Sequence, residues 1–159
     1  MSRFKGERAS DALDLQQLVS EYCFELDLTG GLDSWRFFTA EGRLEVGKMA
    51  FQGHEAMKAF YRDLADQAKA IGGTRTTRHI YANLRIAFDG ADGATVEFIM
   101  QNFSAAGSPP LFGATTPTIV SDCRLLCRRE DDGAWRIAEF TGAPIFVGDD
   151  PLQNKALVD

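Results

Sequence analysis

The sequence predicts an α+β domain in which a curved antiparallel sheet wraps around an N-terminal helix and further helices close one pocket. Three observations carry this. Apolar residues recur at helical spacing in two segments of the first half; four long apolar runs fill the second half; and Asp-Gly turns join two pairs of those runs as hairpins. Helices first and a meander afterwards is an α+β layout. A length of 159 residues suffices for one domain, 1–159, with a full core.

The first helix is expected from Asp11 to Leu28, where Leu15, Leu18, Val19, Tyr22 and Leu26 form one stripe. Asp11 is placed to cap it, Asp14 to sit in its first turn, and Gly30-Gly31 to end it through a left-handed conformation. A short helix around Asp33 to Thr39 carries Trp35, Phe37 and Phe38, and a strand-like piece, Arg43–Val46, follows. A third helix opens at Gly53, repeats the stripe in Met57, Phe60, Tyr61, Leu64 and Ala68, and closes at Gly72-Gly73. Strands are expected at Thr76–Phe88, Thr95–Ser104, Thr118–Arg129 and Trp135–Val147. The Gly/Pro-rich connection from Ala105 to Pro117 suits a rim loop or lid, and residues from Asp149 onward a loose tail.

Composition narrows the partners. Apolar residues make up 45% and charged residues 25%, the balance of a globular chain. The net charge is −6 and no basic stripe is interleaved with aromatics, which argues against nucleic acid and against an anionic membrane surface. No run approaches the roughly 20 apolar residues of a membrane span, and no apolar segment follows the first charges as in a signal peptide. Cys23, Cys123 and Cys127 fit neither a disulfide framework nor a zinc site and read as buried thiols. The expectation is a cytoplasmic protein with no metal.

Two residues stand out as candidate chemistry. His79, Tyr81 and Asn83 alternate on the first long strand, so one face can bring a base, a phenol and an amide together. A structural histidine bonded to backbone is the competing reading. Asp27 sits in the last turn of the first helix, where the helix dipole disfavours a carboxylate, and a residue placed against local electrostatics is often held by a partner or a function. Simple exposure is the alternative. His54 reads as a first-turn surface residue, Trp135 and Tyr61 as core.

Leu26-Asp27, then Asp33-Ser34-Trp35 with Phe38-Thr39, then Gly53-His54-Glu55-Ala56-Met57, the strand Thr77 to Asn83 and the hairpin Asp132 to Ile137 together resemble the SnoaL-like family of the NTF2-like superfamily. The resemblance covers nearly the whole chain and implies a cone-shaped NTF2-like fold. Asp27 and His79 match the Asp–His pair of scytalone dehydratase, hexachlorocyclohexane dehydrochlorinase and the bile-acid dehydratases, all cofactor-free eliminating enzymes. Tyr22 matches a polar helix position of the bile-acid dehydratases. Where scytalone dehydratase has a second histidine, this chain offers Gln101, Asn102 or Phe103, and the polar residue of the following strand corresponds to Asp122.

The resemblance thus implies a cofactor-independent lyase for a small, apolar cyclic or aromatic substrate. His79 would be the base and Asp27 its orienting partner. Tyr22 or Tyr81 would donate to a developing oxyanion, Asn83 and Asp122 would orient the substrate or protonate a departing hydroxide, and Trp35, Phe38, Phe60, Met100 and Phe140 would form apolar walls. An isomerase or polyketide-type cyclase would use the same base, and a non-catalytic binding module or oxygenase small subunit is the reading from another class. Assembly through the sheet into a homodimer or homotrimer is implied by the resemblance.

Overall fold

A computed structural model describes residues 4–70, 75–113 and 116–149. Helix α1 spans Glu7–Leu28, and a 3-10 turn, Ser34–Phe37, leads into strand β1, Phe38–Val46. Then come β2 (Met49–Gln52), helix α2 (Gly53–Ala70), β3 (Arg75–Asp89), β4 (Gly93–Ala106), β5 (Ile119–Arg129) and β6 (Trp135–Val147). The six strands form one sheet in the order β2-β1-β6-β5-β4-β3. It is an open, curved sheet with the helices against one face, the α+β cone of the NTF2-like fold.

The sheet is mixed rather than wholly antiparallel. The pairs β1–β2, β3–β4, β4–β5 and β5–β6 are antiparallel, but β1 and β6 run parallel. Because α2 carries the chain from β2 to the far edge, the meander returns strand by strand and its last member meets β1 running the same way. Parallel neighbours need a long crossover, and here α2 and four strands supply it.

Helix α1 starts earlier than its apolar stripe does. Its N-cap is Gly6, so Asp11 lies inside the helix rather than at its cap, and Asp14 is beyond the first turn. Asp11 is buried and paired with Arg129 of β5 and, at 3.4 Å, with Arg8. Arg8 in turn donates to the carbonyls of Gly90 and Ala91 in the β3–β4 turn. This network fixes the start of α1 against one end of the sheet. Gly30 and Gly31, with φ of 73° and 85°, end the helix as anticipated. Gly72-Gly73 and all but the first residue of the expected tail lie outside the described residues.

The α1 stripe (Leu15, Leu18, Val19, Tyr22, Leu26) is buried against Val96, Leu125, Ile137 and Phe140 of the sheet. Burial of that stripe, not intrinsic propensity, holds the helix in place. At the opposite end of the molecule from the Asp11 network, α1, α2 and the sheet part to leave a cavity. Among the described residues no helix is long and apolar enough to cross a membrane.

Candidate active site

Asp27 and His79 meet. The last turn of α1 brings Asp27 to the fifth residue of β3, and His79 Nδ1 lies 2.7 Å from Asp27 Oδ1. The backbone N–H of His79 also donates to both carboxylate oxygens, at 2.9 and 3.1 Å. One residue therefore clamps the carboxylate with its main chain and its ring, which offsets the unfavourable end of the helix dipole. Both side chains are about nine-tenths buried, at 10% and 9% exposure. An ionised carboxylate only accepts, so Nδ1 carries the proton and Nε2 is the basic nitrogen.

Nε2 faces Asn102 of β4, whose Nδ2 is 2.6 Å away. Asn102 Oδ1 accepts from the hydroxyls of Ser104 and Thr118, each at 2.8 Å. The carboxylate and the amide thus hold the imidazole by its two nitrogens.

The cavity beside them is about 470 Å³, the size of a small-molecule site. Its apolar walls include Leu26, Phe60, Leu64, Met100 and Phe140, and Lys69 and Arg75 also line it. Tyr22 and Tyr61 line it too, their hydroxyls 3.2 Å apart. Burial pushes the Tyr22 phenol well above its ordinary 10.0, with Tyr61 adding to the shift, and burial raises Tyr61 as well. Both are neutral O–H groups at physiological pH. Among the described residues no group of three or more His, Cys, Asp or Glu side chains is placed to hold a metal ion. The arrangement offers a base, two phenolic donors and a mostly apolar enclosure, which suits removal of an activated C–H proton.

Of the residues singled out in the sequence, His79, Asp27, Tyr22, Phe60, Met100 and Phe140 line this cavity. The others do not. Tyr81 points inward, but its hydroxyl bonds Ser20 at 2.7 Å and its ring packs on Phe98. Asn83 breaks the alternation: it has φ 57° at a register shift between Ala82 and Arg85, and its side chain is exposed. Asp122 is exposed on the outer face of β5, and Ile119 and Ser121 are the residues that strand presents to the cavity. Phe38 is buried beside Tyr22, in core rather than wall. Trp35 packs on His54 and under Lys58 Nζ at 4.2 Å. His54 is half-buried rather than exposed, its Nε2–H donating to the Phe38 carbonyl at 3.1 Å.

Three further residues line the cavity: Ser121, which carries no sequence signal, Tyr61, expected in the core, and Asn102. Asn102 was one of three alternatives, and the β3–β4 register decides it, because His79 pairs with Asn102. Paired residues share a face, so alternation counted from His79 across the hairpin would have found it.

A family model described as a SnoaL-like domain matches residues 7–141. Among solved structures, the fold is similar to ActVI-ORFA from Streptomyces coelicolor, with 12% identity over 89% of this chain and 99% of that one, at a TM-score of 0.74. A candidate scytalone dehydratase from Novosphingobium aromaticivorans superposes at a TM-score of 0.73, with 13% identity and 89% of each chain covered. An NTF2-like protein with a cystatin-like fold, also from Novosphingobium aromaticivorans, is 20% identical over 95% of this chain and 90% of that one, at a TM-score of 0.70. Identities this low show the fold alone. No curated protein matches the sequence.

Proposed function

We propose that this chain, which belongs to the SnoaL-like family, is a cofactor-independent lyase that eliminates water or a related leaving group from a small cyclic or aromatic substrate. The family includes polyketide cyclases and dehydratases. The observation that carries the proposal is the 2.7 Å contact between His79 Nδ1 and Asp27 Oδ1 at the wall of a half-open cavity.

In this reading the bound substrate displaces the Asn102 amide from Nε2, which then removes a proton from carbon beside a carbonyl. The electron pair moves toward the carbonyl oxygen, which takes hydrogen bonds from the Tyr22 and Tyr61 phenols. Collapse of the enolate expels the leaving group from the adjacent carbon, and the imidazolium of His79 returns the proton to it. Asp27 stabilises the imidazolium while it exists. The apolar walls exclude water and strengthen each of these interactions.

A second reading, isomerisation or cyclisation with the same base, is favoured by one observation. Among the described cavity-lining residues, β4, β5 and β6 contribute no titratable side chain, so no second acid stands opposite His79. Returning the proton to another carbon needs none.

The test is turnover of β-hydroxy carbonyl and halogenated cyclic compounds, without added cofactor, by wild type, His79→Ala and Asp27→Asn. Rates should fall by about 10²–10⁴ in both variants, the usual weight of general-base catalysis. Turnover undiminished in both, with folding intact, sinks the dyad. A wild type that binds such compounds without converting them points to a binding module.

A further inference from the structure

We propose that Asn102 is a positioning residue whose side-chain amide turns over with the charge of His79, donating to the neutral imidazole and accepting from the imidazolium. The inference deepens the lyase reading and rests on it for its catalytic consequence.

Each charge state of His79 balances its hydrogen-bond donors and acceptors with a different orientation of the amide. With His79 neutral and its proton on Nδ1, Nε2 is an acceptor. Asn102 Nδ2 donates to it, and Oδ1 takes the Ser104 and Thr118 hydroxyl protons. Protonating Nε2 would set an N–H against the amide N–H at 2.6 Å, two donors face to face. Turning the amide by a half-rotation removes the conflict. Oδ1 then accepts from Nε2–H, and the two Nδ2 hydrogens find two acceptors, Ser104 Oγ and Thr118 Oγ1.

That second state requires each hydroxyl to send its own proton elsewhere, and both destinations are in place. Ser104 Oγ is 3.1 Å from Thr77 Oγ1, and Thr118 Oγ1 is 3.0 Å from the Asn102 carbonyl. Thr77, Ser104 and Thr118 are all buried, so solvent does not supply alternatives cheaply. The cluster therefore has two complete bonding patterns over one set of heavy atoms. A carboxylate at position 102, which can only accept, would favour the protonated state. An amide serves both, and this keeps the cost of moving a proton onto and off Nε2 low.

The titratable and charged groups that face His79 and this cavity are Tyr22 and Asp27 of α1, with Cys23 near Asp27, Tyr61 and Lys69 of α2, and Arg75 on its own strand. Among the described residues, β4, β5 and β6 add none.

The test is an NMR titration of the 15N-labelled full chain from about pH 5 to 9, the range in which imidazole changes charge. Only two histidines are present, so a His54→Asn variant assigns the His79 signals. The side-chain NH2 signals of Asn102 should move with the same midpoint as the His79 ring nitrogens. In Asn102→Asp, whose carboxylate can only accept, the His79 midpoint should rise by about one unit or more. An Asn102 amide that stays still while His79 titrates, or a midpoint unmoved in Asn102→Asp, overturns the inference. Should the Asp variant fail to fold, the wild-type amide signals decide alone. No substrate is needed, so the two ideas fail separately: an inactive protein with a tracking amide keeps the switch and loses the lyase, and an active one with a static amide does the reverse.

Discussion

Gly31 shows how a single missing Cβ shapes the cavity. Its φ is 85°, and a Cβ there would sit 2.5 Å from Cδ1 and Cε1 of the Tyr61 ring. Gly31→Ala therefore adds backbone strain and displaces the phenol that pairs with Tyr22. We expect a loss of about 1–3 kcal/mol in urea unfolding, together with weaker binding of carbonyl compounds by titration calorimetry. A variant with wild-type stability would mean that Tyr61 moves aside without cost. The Asp–His pair was legible as two separate anomalies, a carboxylate at the wrong end of a helix and a histidine inside a strand. Their contact was not legible from local rules, which do not reach across the 52 residues between them, and only the family resemblance implied the pair. Asn83 and Tyr81 show the limit of alternation. It holds through Tyr81, fails at the bulge, and says nothing about a hydroxyl already bound to Ser20.

At the scale of elements, helix and strand existence followed from periodicity, and β6 has the expected bounds of Trp135–Val147. The errors fell at ends and at pairing. Helix α1 gains a turn because Arg8 anchors it on the β3–β4 turn, a contact 82 residues away in sequence. Strand β1 begins at Phe38, inside the short helix expected around Asp33 to Thr39. The Asp11–Arg129 pair has its own consequence. Asp11→Ala leaves Arg129, whose side chain is 29% exposed, without its buried partner. The loss should be about 1–3 kcal/mol, below the 3–5 kcal/mol of a fully buried broken pair because water reaches the arginine. Hydrogen exchange should then rise first at the start of α1. Uniform loss of protection across the chain would contradict a local role.

For the molecule as a whole, alkaline pH is the condition under which the core should fail. Burial pushes the Cys23, Cys123 and Cys127 thiols from an ordinary 9.0 up to about 12. Between those values the unfolded chain gives up protons that the folded chain keeps, so stability falls as pH rises. Below pH 9 the thiols contribute no pH dependence. Above it, each should remove roughly 1 kcal/mol per pH unit, with Tyr22 and Tyr61 adding to the slope beyond 10. Thermal unfolding across pH 8 to 11 checks this, and Cys127→Ala should flatten the curve. The outer sheet face bears on assembly. Ile80, Gln101, Val120 and Phe146 lie in one row across four strands, and Ile80 and Phe146 are 54% and 68% exposed. A homodimer or homotrimer should be found by light scattering, and Phe146→Lys should shift it toward monomer. A monomeric wild type removes the expectation.

The parallel seam between β1 and β6 joins the first strand of the fold to the last. On a ribosome, β1 emerges with one side paired to β2 and the other open until β6 arrives. At ordinary elongation rates that interval is on the order of ten seconds. Phe140, which walls the cavity, belongs to β6. The pocket is therefore among the last features a nascent chain can complete, and an exposed edge of β1 is the vulnerability that a cell must cover in the meantime.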